Sequence, residues 1–523
     1  KIPRPAEAST YPRAREKLDQ RSAQRMHSAV VMMLAAAAGK AALASVTRSR
    51  LLEPRALRHV AGRETELAGG LVQKEHTFTC PLDWAAGDGS SSPEEPTINV
   101  YCRELVLAKH GANAAQLPCL IYLQGGPGFP APRPGAPPTG WLARALTEYR
   151  VLLLDQRGVG RSTPATVETI KSRGDAEAQA KYLACLRADS IVRDCEAIRR
   201  ELLIEGRKLT LLGQSFGGFV ALSYLSLYPE SLERVLLTCG LAPVGESAEA
   251  VYKKTFERMR ERNRRFYQRY PEHVAKVRLI ARSLLNEPVQ LPSGGMLTAR
   301  RFSMLGLLLG SSSGFETLHQ LFEAPFLGGL PMPEVGTPVR LSREFLRDVE
   351  GKQAGFETNP IYWILHESIY ASGEHQPTQW AAERVRTSLA GLEFDLSSLA
   401  DATSEFEKPF YFSGEMVYSW MSEDFSDLSD LRDAAELLAS KADWPALYNE
   451  AQLRDCKVPV AALVAYDDIY VEREFSEKVA SLLGDKCSVW VSNQFAHSGL
   501  RDDPAVFGKL LEMSKGEGGM IPC

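Results

Sequence analysis

Leu209-Thr210-Leu211-Leu212-Gly213-Gln214-Ser215-Phe216-Gly217-Gly218 decides the fold. Leu209 to Leu212 reads as a buried strand, Gly213 to Gly217 has the spacing G-x-S-x-G, and Phe219 to Tyr228 reads as a helix leaving the turn. Strand, tight turn and helix in that order hold a serine hydroxyl at a strained corner. Glycines flank it because a side chain there would strike the neighbouring strand and helix. The pentapeptide alone is weak evidence, and a plain glycine-rich turn is the alternative; the strand before it and the helix after it carry the reading.

Outward from this corner lie short, almost wholly apolar runs: Cys119 to Leu123, Val151 to Leu154, Val235 to Leu237 and Val458 to Val464. Strands apolar on both faces belong in a parallel sheet covered by helices on either side. Ser190 to Leu203 supplies one such helix, with Ile191, Val192, Cys195, Ile198 and Leu202 near i, i+4, i+7 spacing. The fold class is therefore α/β, a mostly parallel sheet flanked by helices. Glu75 to Leu82 and Ile98 to Leu107 flank a polar loop and predict an opening antiparallel hairpin.

From residue 242 to 455 the strand pattern stops and amphipathic helices such as Ser247 to Asn286 replace it, which predicts a helical cap inserted between late strands. The expected division is a targeting segment over 1–62, a first core part over 63–241, the cap over 242–455 and a second core part over 456–523. The arginine-rich run Arg258 to Arg269 is interspersed with Glu261 and reads as a solvated helix face.

The 523 residues carry 61 Lys plus Arg against 65 Asp plus Glu, a net charge of -4, which argues against a nucleic-acid binder. Nine scattered cysteines without a CxxC pair suit neither a disulfide framework nor a zinc site, so no metal or cofactor is expected. Met26 to Leu52 holds Lys40, Arg48 and Arg50, many Ala and Ser, and no acid. That composition reads as an import peptide for a plastid or mitochondrion, with a secretory signal as the competing reading and a cytoplasmic protein as the alternative location. The apolar run Val30 to Gly39 falls short of the roughly 20 residues that cross a bilayer, so no membrane association is expected.

A serine hydroxyl needs a base to become a nucleophile, and the base needs an orienting acid. Where a serine sits on this kind of corner, the acid and then the histidine follow it in the chain. His497, in the loop after the final strand-like run Val489 to Asn493, is the one histidine C-terminal to the last apolar strands. The acid belongs just past Val458 to Val464, in Tyr466-Asp467-Asp468-Ile469. Asp468 is favoured, by its spacing from Ala465, and Asp467 stays open. Backbone donors for a developing oxyanion are expected from Phe216 and from the loop Gln124-Gly125-Gly126-Pro127-Gly128, where Gly126 is the better choice.

These stretches resemble the proline iminopeptidase (prolyl aminopeptidase) family of α/β-hydrolase serine peptidases, long-cap members included. Gln124 to Gly128 resembles the family's His-Gly-Gly-Pro-Gly, with Gln124 in place of the usual His; Asp155-Gln156-Arg157-Gly158-Val159-Gly160-Arg161-Ser162 resembles its Asp-Gln-Arg-Gly-x-Gly-x-Ser; Gly213 to Gly218 resembles its nucleophile elbow. The resemblance implies release of an N-terminal residue, typically proline, from a peptide with a free amino terminus. It also implies that acids of the cap bind that amine, with Glu367 and Glu415 as candidates here; ordinary structural salt bridges are the alternative. An esterase or lipase on the same triad, and a silent binding protein that kept the fold, are the rival readings.

Overall fold

Nine strands form one sheet in the order β1-β2-β3-β5-β4-β6-β7-β10-β11. They are β1 (Arg58–Leu67), β2 (Leu71–Pro81), β3 (Thr97–Leu107), β4 (Cys119–Leu123), β5 (Arg150–Asp155), β6 (Leu209–Gln214), β7 (Leu232–Thr238), β10 (Val460–Ala465) and β11 (Cys487–Ser492); β8 (Val289–Gln290) and β9 (Met296–Leu297) make a small separate hairpin. The computed structural model describes residues 54–85, 96–329, 332–333, 337–373, 377–389, 393–399 and 408–516. The proposed import peptide lies outside them.

The strands from β5 to β11 run parallel, and β1, β2 and β3 continue the sheet antiparallel. Every residue of β4, β5, β6 and β10 is buried, as continuous apolar runs between two helical layers require. Leu120, Leu153, Leu212, Leu236 and Leu463 of the sheet share one core cluster with Phe507 and Leu510 of the helix Ala505–Ser514. Among the described residues no helix is long and apolar enough to cross a membrane.

Three features differ from expectation. The sheet starts at Arg58, ahead of the boundary drawn at residue 62. β1 is an edge strand of mostly exposed polar residues, so it lacks the apolar alternation that marks a strand in sequence. The stretch Ser247 to Asn286 is two helices, Ala248–Arg269 and His273–Asn286, interrupted at Tyr270 and Pro271, because proline disfavours helical geometry in the residue before it. The arginine run is a solvated face only in part: Arg264 and Arg269 are exposed, while others are tied down. Arg258 Nε donates to Glu472 Oε1 at 3.0 Å, Arg262 Nε to the Leu309 carbonyl at 3.0 Å and Arg265 Nη1 to Asp467 Oδ2 at 2.6 Å. The run thus ties a cap helix to the turn after β10.

Candidate active site

Ser215 joins β6 to the helix Phe216–Leu227 with φ 54° and ψ -127°, a conformation that costs a non-glycine residue about 1–3 kcal/mol. Packing enforces it: all twelve residues of the helix are buried, the Ser215 amide donates to the Thr238 carbonyl at 3.0 Å, and the Gly218 amide donates to the Ser215 carbonyl at 2.7 Å. At Gly217 a Cβ would sit 2.0 Å from the Leu123 carbonyl oxygen, so only glycine lets the elbow reach the end of β4.

β6, β7, β10 and β11 are neighbours and parallel, so the loops leaving their C-terminal ends gather on one edge. The loop after β10 brings Asp468 there and the loop after β11 brings His497. His497 Nδ1 lies 2.9 Å from Asp468 Oδ2, while Asp468 Oδ1 accepts from the Tyr470 amide at 2.8 Å and the Val471 amide at 3.1 Å. An ionised carboxylate can only accept, so this contact places the proton on Nδ1 and leaves Nε2 as the acceptor. Asp467 faces away, paired with Arg265.

Ser215 and His497 line one cavity of about 600 Å³ together with Gly125, Gly126, Tyr362, Glu415 and Tyr470. Gly125 approaches so closely that a Cβ on it would lie 2.8 Å from Ser215 Cβ. The Phe216 amide opens its helix and therefore has no acceptor within it. The Asp155-to-Ser162 motif buckles this loop in place. Gln156 Nε2 donates to the Gln124 carbonyl at 3.0 Å, and Asp155 Oδ1 accepts from the Ala131 amide at 3.1 Å. Arg157, fully buried, pairs with Asp194 through Nε at 2.7 Å and Nη2 at 2.6 Å, which anchors the buckle to the helix Ala188–Leu202. Gln124, at the position where histidine is usual, accepts from Tyr122 Oη at 2.8 Å.

The two cap acids separate. Glu415 lines the cavity, and its Oε1 accepts from Tyr362 Oη at 2.7 Å; withdrawal of the carboxyl from water raises its pKa to about 7, against the lowering effects of Tyr362 and the nearby His497. Glu367 does not line that cavity. It sits in a much smaller void with Trp363, Thr378 and Trp380, accepts from the Ala382 amide at 3.3 Å and leaves Oε2 without a partner. Burial raises its pKa to about 7 as well.

Sequence reading missed the aromatic wall. Tyr362 stacks on Phe356 and meets Phe129 edge-on, each at 5.0 Å, and the Tyr470 ring lies 4.5 Å from His497. Its members are spread over the chain with no common period. The one available signal was Tyr362-Trp363, just ahead of the segment that holds Glu367.

A serine elbow on a mostly parallel sheet under a helical insertion defines an α/β hydrolase, and the sequence model of the α/β hydrolase fold matches residues 118–290. The chain is 43% identical over 447 residues to a proline iminopeptidase of Aeromonas sobria, covering 85% of this chain and 97% of that protein. It is 35% identical over 428 residues to a proline iminopeptidase of Aspergillus aculeatus, covering 81% and 89%. The chain belongs to the proline iminopeptidase family. A solved proline iminopeptidase of Mycobacterium smegmatis, 15% identical with a TM-score of 0.37 over 80% of this chain and 96% of that one, is too loose a likeness to add to these relatives.

Proposed function

We propose that the protein is a serine aminopeptidase that releases an N-terminal proline from peptides. The observation that carries this reading is Glu415, an acid set among aromatic rings in the same cavity as Ser215 and His497. A carboxylate withdrawn from water is costly when unpaired, and a substrate ammonium offsets that cost. The aromatic wall of Phe129, Phe356 and Tyr362 suits a compact apolar ring beside the charge. Glu367, outside this cavity, is kept as a structural acid of the cap.

In this mechanism Ser215 Oγ attacks the first peptide carbonyl while His497 Nε2 takes its proton, and Asp468 holds the imidazole and stabilises the imidazolium. The amides of Phe216 and Gly126 receive the oxyanion. The proton then passes to the leaving amine, the peptide bond breaks, and water activated by His497 hydrolyses the prolyl ester on Ser215. Holding the amine at Glu415 converts binding into placement of the first carbonyl at the serine. Residues 242–455 act as the cap that closes this site, and residues 26–52 act as an import peptide for an organelle.

Pro-arylamide and its N-acetylated form test the reading, with Ser215→Ala as control. Turnover is expected only with the free amine, and the variant is expected to lose at least about 10³-fold in kcat. Hydrolysis of simple esters with no turnover of Pro-arylamide would instead assign an esterase, and inertness toward both would assign a binding protein.

A further inference from the structure

The cavity that holds Ser215 is asymmetric in charge. Glu415 is its sole acid among the described residues, yet two cations also line it: Lys352, in the last turn of the helix Arg343–Gln353, and Arg501, in the short helix Gly499–Asp502 just after His497. Both are exposed. Neither forms an ion pair with any described residue, whereas Arg258, Arg265, Arg300 and Arg386 of the cap are each paired with acids. Arg501 shares the cavity wall with Tyr122 and Tyr470, so its guanidinium is placed at the cavity and not only toward bulk water.

A peptide bound for N-terminal cleavage would place its amine at Glu415 and its first carbonyl at Ser215, and the rest of the chain would run outward past the exposed lining residues. Each further residue extends the ligand by at most about 3.3–3.6 Å. A cavity of about 600 Å³ is of the size that encloses a small-molecule ligand. A di- or tripeptide would therefore bring its own C-terminal carboxylate to the two unpaired cations.

We propose that Arg501 and Lys352 form a carboxylate-binding subsite at the mouth of the cavity, which makes short peptides with a free C-terminus the preferred substrates. This rests on the aminopeptidase reading and deepens it. Arg501 offers a fork that a carboxylate accepts in two hydrogen bonds, and Lys352 adds a point charge. The subsite is exposed, so its contribution is modest and falls with salt.

The test compares Pro-Gly-Gly with its C-terminal amide in the full chain, beside Pro-arylamide as a measure of basal activity. The amide is expected to show a KM about 3- to 10-fold higher at low salt with little change in kcat. That ratio should fall toward 1 in 0.5 M NaCl, and at low salt in Arg501→Gln/Lys352→Gln. Each protein's acid-to-amide ratio is its own control for any general loss of activity, and the salt series in the wild-type protein needs no variant. Equal KM for acid and amide while Pro-arylamide is turned over would overturn the subsite alone. A ratio that persists in the double variant would also overturn it. No turnover of any free-amine substrate would remove the aminopeptidase reading and the subsite together.

Discussion

Asp467 and Asp468 are adjacent in one turn and have different partners. Asp468 is buried, fixed by two backbone amides and in contact with His497; Asp467 is part-exposed and paired with Arg265 of the cap. Sequence left them open because adjacent turn residues differ only in where their side chains point. Asp468→Asn is expected to lower kcat about 10³- to 10⁴-fold by favouring the wrong tautomer of His497. Asp467→Asn should change kcat little and stability by less than about 1 kcal/mol, since it removes one part-exposed ion pair. Steady-state kinetics of both variants on Pro-arylamide checks the pair of outcomes. Glu415 invites a pH test at the same scale. Its carboxyl, raised to about 7, must be ionised to hold an ammonium, so amine binding is present above that pH and fades below it. KM for Pro-arylamide should fall as pH rises through about 7. Glu415→Gln should raise KM by about tenfold or more and remove that pH dependence.

Among elements, the loop that carries Gly125 and Gly126 depends on a segment distant in sequence. Arg157 and Asp194 are both buried, and besides this pair Arg157 Nη1 donates to the carbonyls of Leu82 at 2.7 Å and Cys185 at 2.8 Å. Removing one partner leaves an uncompensated buried charge, so Arg157→Met or Asp194→Leu is expected to cost about 3–5 kcal/mol. Urea unfolding measures it, and a loss under 1 kcal/mol would show that the buckle carries little of the load. The motif was recognisable as a string by resemblance, but its job was not, because nothing in the string names Asp194 or the Gln124 carbonyl. The arginine run misled for the opposite reason. Interspersed acids suggested a solvated helix face, yet besides local pairs with Glu261 the run sends Arg258 and Arg265 to Glu472 and Asp467, some 200 residues away. β1 escaped notice because the half-exposed edge of a sheet needs few apolar residues.

At the scale of the molecule, what could be read in sequence was the part that water excludes. β4, β6, β7 and β10 announce themselves as apolar runs because both faces of a parallel sheet are covered, and the elbow follows from its glycines. The cap is helical by default, and no sequence period says which of its residues face the cavity, so Tyr362 and Glu415 came together only in three dimensions and Glu367 did not join them. That acid leaves a trace in the stability of the whole fold. The folded-state pKa of Glu367, about 7, lies above the ordinary carboxyl value of 4.5, so the folded protein binds the proton more tightly than the unfolded chain. Its contribution favours folding below about pH 4.5 and is lost as pH rises from there through about 7, a change on the order of 3 kcal/mol. Glu367→Gln keeps an oxygen for the Ala382 amide and has no charge to bury. The variant is therefore expected to be more stable than the wild-type protein at pH 8 and close to it at pH 5, with catalysis equal to that of the wild type at each pH. Thermal unfolding at the two pH values decides it. A stability gap that does not change with pH would mean that the Glu367 carboxyl titrates normally, through a route to water that its buried position in the small void it shares with Trp363 and Trp380 does not suggest.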